Sequence, residues 1–198
     1  YYNMIYFLIK LDYRYNKDYK PYEYIESDKT ENKILLVYPH TVCINDDKKV
    51  CDYSSKKWGD ILYEKLIEEK YNVDKLICLS RRIEGHDCNR EEIKFQNKEF
   101  NRKLIELIEN ENTKIIIDIH SQYRKVPYYL NFDEKLEKIF NNNNKFEMKK
   151  ASDKNYIINI AKQNNKPALL VEFLDHKEDI NNEFIDDIMS KVKSILNQ

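Results

Sequence analysis

Ile34-Leu35-Leu36-Val37-Tyr38-Pro39-His40 is an apolar run of strand length that closes on an imidazole. Ile115-Ile116-Ile117-Asp118-Ile119-His120 repeats the pattern later in the chain, and Ala168-Leu169-Leu170-Val171-Glu172 ends on a carboxylate. Short, continuous aliphatic runs bounded by polar segments read as strands buried on both faces, as in a parallel sheet covered by helices. Open sheets of that kind place their chemistry just outside the carboxyl ends of the strands. The polar residues that close these three runs are therefore the first candidates for a functional site.

The segments between the runs alternate accordingly. The spacing of Trp58, Ile61, Leu62 and Leu66 predicts a helix over about 55–71, and Asp74 precedes a strand at 75–79. Ile93, Phe100, Leu104 and Leu107 make the stripe of a helix at 91–110, and a helix follows at 133–140. Residues 145–167 hold a short edge strand and a helix, and Phe184, Ile188, Val192 and Ile195 mark a closing helix at 179–196. Residues 1–30, aromatic and mixed, read as strands or a packing arm with a turn at Pro21. The alternation predicts one α/β domain over 1–198, a three-layer α/β/α sandwich of hydrolase- or phosphorylase-like character. Its central sheet is mainly parallel, with mixed pairing allowed.

Composition narrows the function. With 34 Lys and Arg against 35 Asp and Glu, and no long run of one sign, no stripe tracks a phosphate backbone, so nucleic acid is not an expected partner. Only 2 glycines, Gly59 and Gly85, are present. They cannot supply a dinucleotide fingerprint, a P-loop or a nucleophile elbow. The apolar opening Tyr1–Lys10 is far short of the roughly 20 residues of a spanning helix, so no membrane partner is expected. The four cysteines form no CxxC pair, and Cys78 lies in an apolar run. Although Cys43 and Cys51 could approach each other, the expectation is reduced thiols and a cytoplasmic protein. The oligomeric state is not indicated.

The chemistry follows from residue types. Two imidazoles, one carboxylate and an open water position make a catalytic zinc set. His40 and His120 supply the imidazoles, and Asp46 or Asp60 is the candidate carboxylate. Asp118, two residues before His120 and on the same side of an extended chain, is placed to orient it. A carboxylate at the end of a buried strand needs a partner or a role, and Glu172 beside an activated water would serve as general base. Arg81, Arg82 and Arg90 are candidates to bind a substrate carboxylate bidentately or to stabilise charge on a scissile carbonyl. Tyr123 is a candidate to line the substrate pocket.

Taken together, Val37-Tyr38-Pro39-His40, Trp58 with Asp60-Ile61-Leu62-Tyr63, Ser80-Arg81, Asp87-Cys88-Asn89-Arg90, Asp118-Ile119-His120-Ser121 and Val171-Glu172-Phe173 resemble, in order along the chain, the motifs of N-formylglutamate amidohydrolases. The resemblance covers roughly residues 34 to 173 and implies the zinc-carboxypeptidase-like fold. It implies Zn2+ held by His40 and His120, Glu172 as general base, and Arg90 helped by Asn89 on a carboxylate or the reacting carbonyl. The substrate it implies is a small N-acyl amino acid or short peptide with a free carboxylate. Two departures stand out: His40-Thr41-Val42 replaces the family's small residues after the first histidine, and Cys43 occupies the glutamate position of a His-x-x-Glu pair. They leave open a carboxypeptidase-like or γ-glutamyl peptide hydrolase, or a catalytically inactive binding or structural domain on the same scaffold.

Overall fold

Seven strands assemble in the order β1-β3-β2-β4-β7-β5-β6 among the described residues of the computed structural model, which are 21–28, 31–43, 51–80, 87–89, 98–131, 136 and 145–197. The strands are β1 (Tyr22–Ile25), β2 (Lys33–Tyr38), β3 (Asn72–Cys78), β4 (Thr113–Gln122), β5 (Tyr128–Asn131), β6 (Glu147–Lys150) and β7 (Ala168–Leu174). The helices are α1 (Ser55–Glu68), α2 (Lys98–Glu109), α3 (Tyr156–Gln163) and α4 (Glu178–Leu196). β3, β2, β4 and β7 run parallel, whereas β1 joins β3 and β5 joins β7 antiparallel. The sheet is thus mixed but mostly parallel, and its parallel centre is made of the aliphatic runs.

Two cores explain why those runs are continuous. Ile34, Leu36, Ile115, Ile117, Leu169 and Val171 face α1 and α4 through Trp58, Leu62, Phe184 and Ile188. Leu35, Val37, Ile116 and Leu170 face α2 and α3 through Phe100, Leu104, Ile157 and Ala161. Each of these central runs buries both sides, so no polar alternation survives there except where a polar side chain has a task.

Helix ends and close contacts show how the chain manages with few glycines. Lys70 and Asn165 adopt positive φ, 66° and 54°, just beyond α1 and α3, where a left-handed residue closes the last turn. Gly59 is needed for another reason: a Cβ there would lie 2.3 Å from Cε1 of Tyr38, so only glycine lets α1 settle on β2. On the same face of the sheet, the Asn181 side chain bonds both backbone groups of Leu174 and fixes the end of β7 to α4.

Some boundaries move. β4 runs through Gln122, so His120 is inside a strand rather than just after it. α1 stops at Glu68, and β3 starts at Asn72 and includes Asp74. Asp74 is buried because Lys33, the Tyr24 hydroxyl and the Ser27 amide all donate to it. Residues 1–20, the first part of the 91–110 helix and nearly all of 133–140 lie outside the described residues.

Candidate metal centre

β2 and β4 are parallel neighbours with Val37 opposite Asp118, which brings His40 and His120 to the same end of the sheet. Their ring centroids are 5.0 Å apart, and both side chains are buried. Nδ1 of His120 lies 2.6 Å, and Nδ1 of His40 3.2 Å, from the same carboxylate oxygen, Oδ2 of Asp52. One atom from each of His40, Asp52 and His120 falls within 4.8 Å of the others. Asp52 is held there by its backbone: its N–H donates to the His40 carbonyl at 3.0 Å, and its own carbonyl accepts from both N and Oγ of Ser55 at the start of α1. Beside it, the Ser54 amide donates to Oγ of Ser121, whose hydroxyl donates to Asp175.

The outer ring nitrogens are fixed as well. Nε2 of His40 is 2.6 Å from Oδ1 of Asp87, and Nε2 of His120 is 3.0 Å from Oδ1 of Asp118. Carboxylates behind the outer nitrogens orient imidazoles so that Nδ1 presents its lone pair to a cation, a pattern typical of metal-ligating histidines. Asn89 completes the packing: its amide nitrogen sits 3.3 Å from Asp118 and 3.1 Å from Nε2 of His120, while its Oδ1 accepts from the Ile157 amide at 3.2 Å.

The electrostatics call for positive charge. Burial lowers the His120 pKa, but Asp118 and Asp52 outweigh it and hold the imidazole charged well above its usual range. Burial would raise Asp52, yet His120 and His40 pull it far below the ordinary carboxylate value. Three carboxylates contact two imidazoles in a buried site, and a bound divalent ion would replace protons as the balancing charge. The oxygen and nitrogen donors suit Zn2+.

Glu172 stands opposite His120 in the register of β4 and β7 and is partly accessible. Burial, reinforced by the charges of Asp52 and Asp118 and opposed mainly by His120, pushes its pKa up to about 7. A carboxyl group poised near neutrality can both take and return a proton. On its far side β5 sets Tyr128 against it.

Not every expected residue joins this cluster. Asp60 lies on α1 and is engaged by Lys56 at 2.6 Å and Lys75 at 2.5 Å; the carboxylate beside the histidines is Asp52 instead. Asp46, Arg81, Arg82 and Arg90 fall outside the described residues. Tyr123 is 78% exposed, with its ring edge-on to His176. Asn89 faces inward to His120 and α3, an anchoring position the motif alone did not reveal. Asp87, unassigned in the sequence, is the partner of His40. The reduced-thiol expectation is also corrected: Cys43 is bonded to Cys51 and Cys78 to Cys88, because the topology brings each pair within bonding reach. Cys51 adjoins Asp52 and Cys88 separates Asp87 from Asn89, a signal present in the sequence.

No family model matches the chain, and no curated relative does. Solved structures do share the fold. The gene product Atu2144 from Agrobacterium tumefaciens superposes with a TM-score of 0.67 at 11% identity, covering 90% of this chain and 94% of that one. N-formylglutamate amidohydrolase from Ralstonia eutropha JMP134 gives a TM-score of 0.53 at 9% identity, with coverage of 89% and 97%. Tripeptide-bound cell shape determinant Csd4 from Helicobacter pylori gives 0.52 at 12% identity; the match covers 89% of this chain and 55% of that protein. These identities speak for the architecture alone. Within it, the buried His–Asp–His set has the catalytic potential of an enzyme.

Proposed function

We propose that the protein is a zinc-dependent amide hydrolase acting on a small N-acyl amino acid or related carboxylated amide. The observation that carries this reading is the convergence of the Nδ1 atoms of His40 and His120 on Asp52, with Glu172 in register beside them. His40, His120 and Asp52 would hold the ion, which would acidify water and polarise a carbonyl. Glu172 takes the proton of the attacking water and returns it to the leaving amine. Asp87 and Asp118 keep the imidazoles aimed, and Asn89 anchors Asp118 to the start of α3. Arg90, with Arg81, Arg82 and Tyr123, remains the proposed binder of the substrate carboxylate.

The tripeptide in the Csd4 structure supports a second reading, a carboxypeptidase-like or γ-glutamyl hydrolase taking short peptides. Parallel assays on formyl-amino acids and short acidic peptides separate the two. Zinc analysis and turnover of the native chain, Glu172→Gln and His120→Ala test both at once. Hydrolysis is expected with one zinc per chain; Glu172→Gln should keep zinc and lose turnover, and His120→Ala should lose both. Stoichiometric zinc with no turnover of any amide would favour a binding domain, and no zinc at all would end the metallohydrolase reading.

No described helix is long and apolar enough to cross a membrane. The cytoplasmic expectation depended on reduced thiols, and two disulfides support an oxidising compartment instead.

A further inference from the structure

The third member of the metal set is far from the first in sequence. Asp52 follows His40 by 12 residues, and the position three residues after His40, where a His-x-x-Glu pair would put its carboxylate, is Cys43. Cys43 is joined to Cys51, with Cα atoms 5.1 Å apart, and Cys51 is the residue before Asp52. The covalent path from His40 to Asp52 therefore runs through Thr41, Val42, one disulfide and a single peptide bond. The cross-link shortens a long tether to the reach of the missing short motif.

The second disulfide acts on the other side of the histidines. Cys78 is the last residue of β3, and its partner Cys88, with Cα atoms 6.5 Å apart, is buried. The neighbours of Cys88 are Asp87, on Nε2 of His40, and Asn89, on Asp118 and His120. Thr41, the residue after His40, donates to the Cys78 carbonyl at 3.0 Å, so both cross-linked segments meet at the end of β3. Each disulfide thus abuts a group that touches an imidazole. Cys78 and Cys88 also belong to the apolar core that α2 and α3 cover.

We infer that the two disulfides are positioning elements of the metal centre. They set the reach of Asp52, Asp87 and Asn89, so that the oxidised chain holds the ion and the reduced chain binds it much more weakly. The inference takes the metal-centre reading as its starting point. A ligand on an untethered loop must be ordered when the ion binds, and that ordering subtracts from affinity; a cross-link in place beforehand removes the cost. Reduction, in which an external thiol pair is oxidised as each disulfide takes up two electrons and two protons, would free Asp52, Asp87 and Asn89 from these cross-links. The metal centre would then be sensitive to redox conditions.

The experiment compares the native chain, purified without reductant, with Cys43→Ser/Cys51→Ser and Cys78→Ser/Cys88→Ser. Serine pairs avoid free thiols that would themselves bind zinc. Zinc affinity is read by competition with a chromogenic chelator, and folding by circular dichroism. Each folded double variant is expected to bind zinc at least tenfold more weakly than the native chain. Affinity within twofold of native in folded variants overturns the inference. Mass-spectrometric mapping decides the case even if a variant does not fold: a native chain with full zinc affinity and four alkylatable thiols also overturns it. Should the oxidised native chain bind no zinc, the metallohydrolase reading fails separately. The clamp is then read from histidine ring signals in nitrogen-edited spectra, where Nε2–H resonances held by Asp87 and Asp118 should disappear in the variants. Their persistence would overturn it.

Discussion

Glu172 is the residue whose environment says most about chemistry. Burial beside Asp52 and Asp118 raises it to about 7, so in the metal-free chain a neutral carboxyl is more stable than a carboxylate at weakly acidic pH. The sign for stability follows from linkage. The folded state binds the Glu172 proton more tightly than the unfolded chain does, so stability falls as pH rises from the ordinary glutamate range through the folded value. Glu172→Gln removes that dependence. The metal-free variant should match the native chain at pH 4 and exceed it by up to about 3 kcal/mol at pH 8 in denaturant titrations. The same substitution should cost about 10^2- to 10^4-fold in kcat with zinc retained, since a proton-transfer group contributes on that order. Unchanged turnover of a confirmed substrate would remove Glu172 from the mechanism. Asp87→Asn and Asp118→Asn keep the shape but weaken the pull on the outer ring nitrogens. About 10- to 100-fold weaker zinc binding is expected for each in chelator competition.

Within the elements, α1 carries two residues with opposite lessons. Asp60 is paired with Lys56 and Lys75, whose influence outweighs burial and holds its carboxyl low. Asp60→Asn should leave zinc stoichiometry intact and cost about 1–3 kcal/mol, because Lys75 is left buried with a weaker partner. Loss of zinc in that variant would reinstate Asp60 as a ligand. Gly59 has no chemistry, yet a side chain there would collide with the Tyr38 ring. Gly59→Ala should destabilise by about 1–3 kcal/mol through overpacking, measured as a lower urea midpoint at unchanged slope. A helix amphipathic pattern announces that α1 packs somewhere, but it cannot say which helical residue must lack a side chain.

The molecule as a whole behaves as a device for bringing separate strand ends together. β2, β4 and β7 are adjacent and parallel, so His40, His120 and Glu172 share one end of the sheet. A ligand bound only by the folded state stabilises it by mass action, about 2.7 kcal/mol at free zinc 100-fold above the dissociation constant. For a domain of this size that corresponds to a rise of roughly 5–10 °C in Tm. A chelator should reverse the shift, and a Tm indifferent to both zinc and chelator would argue against the centre.

The layers and the central strands were readable along the chain, and both histidines, Asp118 and Glu172 could be nominated there as candidates, because strand burial and local periodicity are written in consecutive residues. β4 outlasted its aliphatic run, since His120, Ser121 and Gln122 continue the ladder with polar side chains that pattern alone assigns to a loop. Asp52, Asp87 and the two cysteine pairs were decided in three dimensions. Their roles depend on which of many polar loop residues the crossover connections return to the strand ends, and long-range closure leaves no periodic mark on the sequence. Asp60 shows the converse: its position beside a motif suggested a ligand, but helix geometry turned it to two lysines. Local order chose the scaffold, and tertiary proximity chose the carboxylate that joins the two histidines.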